Sequence, residues 1–194
     1  LSDYIIDWGD GSTENASGTG SKTYNHTYIT TGMYQVEVKN CADVTGCNGN
    51  KDCLIAYWSI GNSKVSGLSF SGFNKLCYVG FIFKNDQNRT DFSNCFYYCS
   101  RLTSIPAGLF DNCPAVTNFF RCFYYCSRLT SIPAGLFDNC PAVTSFSYCF
   151  RECSQLTSIP VGLFDNCLAV TDFSYCFGDC SQLTSIPVGL FDNC

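Results

Sequence analysis

Residues 102–128 read LTSIPAGLFDNCPAVTNFFRCFYYCSR, and this stretch decides the fold because the chain repeats it. The unit begins at Leu102 and again at Leu129, Leu156 and Leu183, 27 residues apart each time and without an insertion. A fixed period in the twenties is typical of a solenoid, in which each unit buries its apolar face only against its neighbours. The sequence therefore predicts four stacked repeats over residues 91–194, the last of them truncated.

Each repeat opens with the pattern Phe-x-x-Cys-Phe-x-x-Cys, as in Phe92, Cys95, Phe96 and Cys99. Offsets of three, four and seven residues place such side chains on one face of a helix. The residues that precede the first Phe are all good N-caps. They are Asp91, Asn118, Ser145 and Asp172. We therefore expect a capped helix of about ten residues at the start of every repeat.

The rest of the unit predicts one strand and one short helix. Residues 102–105 have the pattern of a β segment, and Pro106 suits the first turn of a short helix over residues 107–113. Stacking would align the β segments into a parallel sheet. The sequence thus predicts an α/β solenoid of leucine-rich-repeat coils, with a parallel sheet on one face and short helices on the other.

Residues 1–60 are expected to form a β-rich segment. An apolar run at 4–8 ends in the turn sequence 9–12, residues 13–23 have the composition of a polar loop, and further strands are expected at 24–28, 34–38 and 54–60. In residues 61–90, the stretch 74–79 echoes 100–105. We expect this part to be a degenerate repeat that caps the array.

Two parts of the chain resemble known families. The runs Asp7 to Ser12 (DWGDGS), His26 to Tyr28 (HTY) and Gly32 to Val36 (GMYQV) are similar to the PKD-type β-sandwich domain. The C-S-x-L-T-S-I-P, L-F-D-N-C and V-T-x-F-S-Y-C-F runs resemble the BspA-like leucine-rich repeats of bacterial surface proteins. These resemblances imply a cell-surface or secreted bacterial protein whose repeats attach to, or recognise, a partner.

Composition excludes some classes of partner. Charged residues are only 14% of the chain, the formal net charge is -5, and there is no basic run, so nucleic acid is not expected to bind. No apolar run is long enough to span a bilayer. The chain starts without a signal peptide and stops at Cys194 in mid-repeat, so we expect a longer protein whose anchor lies in another part.

The 16 cysteines suggest export to an oxidising compartment. Each repeat carries three, of which two lie on the predicted inward stripe, and two interpretations stay open. One is a buried ladder of thiols that pack as small apolar groups. The other is one disulfide per repeat, joining the end of one repeat to the next. The candidate pairs are Cys113 with Cys122, Cys140 with Cys149, and Cys167 with Cys176. Cys41, Cys47, Cys53 and Cys77 are expected to form one or two further bridges.

No catalytic constellation occurs in the sequence, and we expect no enzyme activity, no cofactor and no metal site. His26 stands alone within its strand motif and is expected to be structural. Residues 18–23 lack the Gly-Lys-Ser/Thr adjacency of a phosphate loop. Asp7, Asp10 and Glu14 lack the alternating ligands of a calcium loop, so a turn-stabilising role is favoured for them.

The positions that vary between repeats indicate where a partner could bind. The fixed frame is apolar, whereas the outward positions carry Tyr and Arg in the first two repeats and become more acidic in the last two. Tyr and Arg are enriched in binding hot spots, and aromatic faces also suit sugar rings. The alternative is drift on a solvated face. The candidate partner-binding residues are Tyr97, Tyr98, Arg101, Arg121, Tyr124, Tyr125, Arg128 and Tyr148.

These observations predict a non-enzymatic cell-surface or secreted protein that adheres to a host or matrix protein, or to a glycan, through the repeat array. The alternative is a structural role, as a spacer or as a self-associating element of a surface layer or filament. The sequence does not name the ligand.

Overall fold

The computed structural model describes residues 4–7, 11–16, 33–39, 54–60, 69–74, 76, 79 and 87–194. The first of these form a four-stranded sheet from strands β1 (Tyr4–Asp7), β2 (Thr13–Ala16), β3 (Met33–Lys39) and β4 (Leu54–Ile60). The strand order is β2-β1-β3-β4. Strand β1 is antiparallel to both β2 and β3, whereas β3 and β4 run parallel.

The strands predicted near residues 4–8, 34–38 and 54–60 are present. The loop predicted at 13–23 is wrong at its start, because β2 pairs with β1, with Thr13 opposite Asp7 and Glu14 opposite Ile6. A polar strand at a sheet edge has the composition of a loop, which explains the error. The predicted strand at 24–28, His26, the stretch 18–23, Asp10 and the cysteines before Cys95 lie outside the described residues.

The repeats pack directly on one another. We define repeat 1 as residues 91–117, repeat 2 as 118–144, repeat 3 as 145–171 and repeat 4 as 172–194. Parallel bridges join Asp91 to Asn118, Asn118 to Ser145, and Ser145 to Asp172. The ring of Phe123 stacks between Phe96 and Phe150, with centroids at 5.1 and 5.3 Å. Neighbouring repeats are therefore separated by roughly the spacing of adjacent β-strands, about 4.8 Å.

The helix predicted at the start of each repeat is wrong, since the described residues contain no helix. Two helices in contact need axes 8–10 Å apart, whereas equivalent rings here lie about 5 Å apart. The backbone instead forms successive turns. Cys95 N–H donates to Phe92 O at 3.1 Å, while Phe96 N–H donates to Cys122 O of the next repeat at 2.8 Å. Alternate peptide groups thus bond along the chain and between repeats.

Left-handed residues at two positions of every repeat make this pattern possible. Their φ angles lie between 53° and 61° although none is glycine. A positive φ at the third residue of a hydrogen-bonded turn is the geometry of a type II turn, which rotates one peptide group toward the neighbouring repeat. The residues are Asn94, Tyr98, Arg121, Tyr125, Tyr148, Glu152, Tyr175 and Asp179.

The predicted N-cap residues do accept backbone hydrogen bonds, but in turns. Asn118 Oδ1 accepts from Phe120 N–H at 2.9 Å, and Asp172 Oδ1 accepts from Ser174 N–H at 2.9 Å. A bond to the amide two residues on is an Asx turn. The hydroxyl and the N–H of Ser174 also lower the pKa of Asp172.

The second half of the unit also differs from the expectation. Residues 107–113 form turns, with Asp111 N–H donating to Gly108 O at 3.1 Å. Residues 102–105 are not a strand; Thr130 N–H donates to Thr103 O at 3.4 Å, and the parallel bridges occur instead at the Asp91 position. The leucine-rich-repeat assignment stays a prediction.

The core of the repeats is made of columns of identical side chains. Phe, Cys, Leu and Val at the frame positions are buried, and Phe119, for example, stacks between Phe92 and Phe146 at 5.5 Å on each side. Phe70 extends one column, because it stacks on Phe96 at 5.3 Å. Residues around Phe70 thus cover the core of repeat 1, and the assignment of residues 61–90 as a capping repeat stays a prediction.

Candidate binding surface

The candidate surface lies over the left-handed turns that open the repeats. We call it the aromatic face and define it by the side chains at the outward positions of these turns. They are Tyr97, Tyr98, Phe120, Arg121, Tyr124, Tyr125, Tyr148, Arg151, Glu152, Tyr175 and Asp179. Most are half-buried, whereas Tyr98 is 39% exposed and Tyr175 is 63% exposed. The frame residues between them point into the core, so the turns alternate between core and surface.

Four tyrosines form one cluster across repeats 1 and 2. The ring of Tyr98 stacks on Tyr125 with centroids 4.5 Å apart and an interplanar angle of 12°. Tyr97 stacks on Tyr124 at 5.3 Å, and Tyr97 and Tyr98 themselves lie 4.6 Å apart. Burial raises the pKa of Tyr98, so its hydroxyl is a neutral donor at physiological pH. The cluster is therefore a preformed patch of rings and hydroxyls.

Arg121 lies among aromatic rings beside this cluster. Its Cζ is 4.8 Å from the ring centroid of Phe120, 5.3 Å from that of Tyr148 and 5.6 Å from that of Tyr124. These distances are within the range of a cation–π interaction. The Arg121 Nε is buried and has no hydrogen-bond partner among the described residues. An unsatisfied buried donor is uncommon in native proteins and calls for an explanation.

Arg151, in the next repeat, also lies near aromatic rings, but it has a carboxylate partner. Its Cζ lies 5.5 Å from the Tyr148 ring and 5.4 Å from the Tyr175 ring. Its Nη2 is 2.8 Å from Asp179 Oδ2. The hydrogen bond to Asp179 raises the pKa of Arg151 further. The charge of Arg151 is therefore balanced within the surface.

A second carboxylate is held by a tyrosine. Tyr124 Oη donates to Glu152 Oε1 at 3.1 Å. Burial, and then the hydrogen bond to Glu152, raise the pKa of Tyr124. Both acidic side chains of the aromatic face thus have a donor, whereas Arg121 has no carboxylate partner in the described part of the chain.

The structure brings six of the eight predicted residues together. Tyr97, Tyr98, Tyr124 and Tyr125 form the cluster, and Arg121 and Tyr148 adjoin it. Arg101 and Arg128 are exposed and make no ring contact with the residues that the structure describes. Phe120 was not predicted. It replaces the serine that repeats 1, 3 and 4 carry at that position (Ser93, Ser147 and Ser174), so comparison of the repeats could have found it.

The repeat cysteines line the core as three columns. No disulfide joins Cys113 to Cys122, Cys140 to Cys149 or Cys167 to Cys176 in the structure, and all six are buried. In one column the thiols face backbone carbonyls of an earlier repeat: Cys126 Sγ donates to Phe96 O at 3.3 Å, and Cys153 Sγ to Phe123 O at 3.3 Å. The buried columns are compatible with the thiol-ladder interpretation, and the three disulfides stay a prediction for the oxidised protein.

Burial makes these thiols poor acids. It raises the pKa of Cys140 and Cys167 to about 12 and that of Cys180 to about 11, from an ordinary value of 9.0. Cys122, Cys126, Cys149 and Cys153 are shifted in the same direction for the same reason. Since the thiolate is the reactive form, these cysteines are inert at neutral pH.

A scan against protein-family models finds no match, and a search of the curated proteins finds none either. Within the described residues, no helix has the length and apolar character required to cross a membrane. No cluster of three metal-ligating side chains occurs in the same part of the chain.

Proposed function

We propose that the chain is a non-enzymatic binding protein of the cell-surface or secreted type, which recognises a protein or a glycan through the aromatic face. The observation that supports this most strongly is the tyrosine cluster on repeats 1 and 2 together with Arg121. Tyr and Arg are the residue types that dominate binding hot spots, and here they form one contiguous patch. The resemblance to bacterial surface repeats agrees with this proposal but does not name the partner.

The proposal is tested with paired variants. The chain is screened against immobilised matrix proteins and a glycan array, and the best binder is titrated against Tyr98→Ser with Tyr125→Ser. We expect affinity to fall by about tenfold or more, because these rings supply the patch. Arg101→Ser with Arg128→Ser, at exposed positions without ring contacts, serves as the control and should retain binding. Equal affinity of all three proteins would contradict the proposal.

A structural role is the second candidate function. Repeat 3, which has a repeat on each side, exposes Val161 at 80% and Leu168 at 69%, and exposed apolar side chains favour association with another surface. Ordered oligomers that form from the purified chain alone, without any binder in the screen, would support this role. Sedimentation over a range of protein concentrations measures it.

A further inference from the structure

We infer that the aromatic face binds a negatively charged sugar residue, through its carboxylate or sulfate, at Arg121. This inference rests on the proposed binding function and names the chemical class of its ligand. Three features of the described residues carry it: the setting of the Arg121 guanidinium, the charges around it, and the kind of surface that adjoins it.

The guanidinium of Arg121 is held in place by aromatic rings, and no carboxylate of the described residues pairs with it. Phe120, Tyr124 and Tyr148 surround it at 4.8–5.6 Å from Cζ to the ring centroids, which limits its rotamers. Its Nε is buried and has no acceptor among the described residues, so the terminal Nη groups are the donors that remain for a ligand. A cation that is positioned by rings and lacks an anion is suited to receive one from a ligand. The planar fork of arginine matches a carboxylate or a sulfate.

The charges near Arg121 leave room for an anionic ligand. On the aromatic face, Asp179 is paired with Arg151 at 2.8 Å, and Glu152 accepts from the Tyr124 hydroxyl at 3.1 Å. The neutral Tyr124 hydroxyl leaves the Glu152 charge in place. The hydrogen bond and charge of Asp179, and then the charge of Glu152, raise the pKa of Arg151. Among the described residues, Arg121 is the cation of this face that no carboxylate balances, so an arriving anion displaces no existing ion pair.

The surface that adjoins Arg121 has the composition of a sugar-binding patch. Around Arg121 the exposed groups are tyrosine rings and hydroxyls, which stack against apolar faces and exchange hydrogen bonds with hydroxyls. The large exposed aliphatic side chains of the described residues lie at other positions of the repeat. They are Val161, Leu168, Ile186 and Val188. The face thus offers rings and hydroxyls without an exposed aliphatic side chain, and the apolar faces and hydroxyls of a sugar match such a surface.

The test uses an array of glycans that carry uronate, sialate or sulfate groups. Each is paired with the same glycan after methyl esterification or desulfation, so that only the charge differs. We expect the charged form to bind about tenfold more tightly or better, and the preference to weaken as salt is added. The esterified and desulfated arms separate carboxylate from sulfate as the anion.

Matched variants assign the effect to one residue. Arg121→Gln should remove the preference for the charged form, whereas Arg151→Gln, whose charge is already balanced, should keep it within about twofold. Arg121→Lys retains the charge but not the fork and should recover binding only in part. Far-ultraviolet circular dichroism and the urea midpoint of each variant show whether it is folded.

The binding results separate the failure of this inference from the failure of the proposed function. Binding of charged and neutral glycans alike would overturn the inference while the proposed function stands. Binding of matrix proteins without any glycan would do the same and would point to an acidic protein segment. Equal loss of binding in the Arg121 and Arg151 variants would move the site away from Arg121. Absence of any binder in the whole screen would overturn the proposed function as well.

Discussion

Arg151 donates from both Nε and Nη2 to one oxygen of Asp179, at 2.9 and 2.8 Å. This ion pair joins repeat 3 to repeat 4. It neutralises the charge of Arg151, which also lies over two tyrosine rings. Arg121 lies among rings in the same way, but no carboxylate of the described residues pairs with it. The contrast between the two arginines makes the aromatic face chemically asymmetric along the stack, although the frame beneath it repeats.

Asp179→Asn should release Arg151 without disturbing the fold. Asparagine tolerates the left-handed conformation that Asp179 adopts at φ 60°, and an exposed ion pair contributes only about 0–1 kcal/mol. If the ligand is an acidic sugar, its affinity should rise several-fold, because a second guanidinium becomes available. Titration of the best charged glycan measures this. Asp165→Asn removes the same charge elsewhere and should leave the affinity unchanged; a similar gain there would indicate net charge as the cause.

Phe123→Ala should destabilise the repeats by about 3–5 kcal/mol, the usual range for deleting a fully buried aromatic ring. The ring stacks on Phe96 and on Phe150 and has no exposed surface. Phe177 belongs to the same column but stacks on Phe150 from one side and is half-buried. Phe177→Ala should therefore cost clearly less. Urea denaturation of both variants measures the difference, and equal losses would show that the column does not act as continuous core.

Gly108→Ala should cost about 1–2 kcal/mol or more, because its φ is 70° and L-residues are strained there. An added Cβ would also lie 2.6 Å from Asp111 Oδ2. Gly178 has no positive φ, and its added Cβ would meet Tyr175 atoms no closer than 3.4 Å. Gly178→Ala should stay within about 0.5 kcal/mol of the parent. A comparison of urea midpoints checks the pair; equal effects would argue against the turn geometry described for residues 107–113.

Alkaline pH should weaken the fold through the buried thiols. Burial raises the pKa of Cys140 and Cys167 from 9.0 to about 12, so the folded state holds these protons where the unfolded state releases them. Their contribution to the free energy of unfolding is complete below pH 9 and is lost as pH rises from 9 toward 12, by about 1.4 kcal/mol per thiol at pH 10. The free energy of unfolding at pH 7.5 and 10 measures it. Cys140→Ala should show a smaller decline, and an identical decline would assign it to other groups.

The same burial should protect the thiols from alkylation. In the folded chain at pH 8, iodoacetamide should leave Cys122, Cys126, Cys149 and Cys153 unmodified while it modifies the exposed Cys194. In denaturant all of them should react. Peptide mass mapping before and after unfolding reads out each position. If peptides joined through Cys113 and Cys122 were found before reduction, the thiol ladder would be replaced by the disulfide alternative.

The sequence correctly predicted which side chains of the repeats point inward and outward, but the backbone conformation predicted for them was wrong. Spacings of three, four and seven placed Phe92, Cys95, Phe96 and Cys99 inward, and all four are buried. A helix and a chain of turns share this inward pattern, so it could not distinguish them. The left-handed conformation of these residues could not be predicted, because Tyr, Arg and Glu rarely adopt a positive φ and their residue types do not indicate it.

The grouping of the tyrosines was predictable because outward positions 27 residues apart must meet when repeats stack. The difference between Arg121 and Arg151 was not. It depends on which neighbour, Asp179 or a ring, each guanidinium reaches, and that requires distances. The cysteines were left between two interpretations, since their spacing fits both a buried column and a cross-link.

The turn hydrogen bonds that join the repeats run along the stack, from Phe92 to Asn118 and onward. Tension applied along that direction would load all the interfaces in series, and the repeats would separate one interface at a time. Each released unit of 27 residues adds at most about 97 Å to the chain, at roughly 3.3–3.6 Å per residue. A stack of this kind lengthens under a pull in modest steps, and so dissipates mechanical work before the last interface yields.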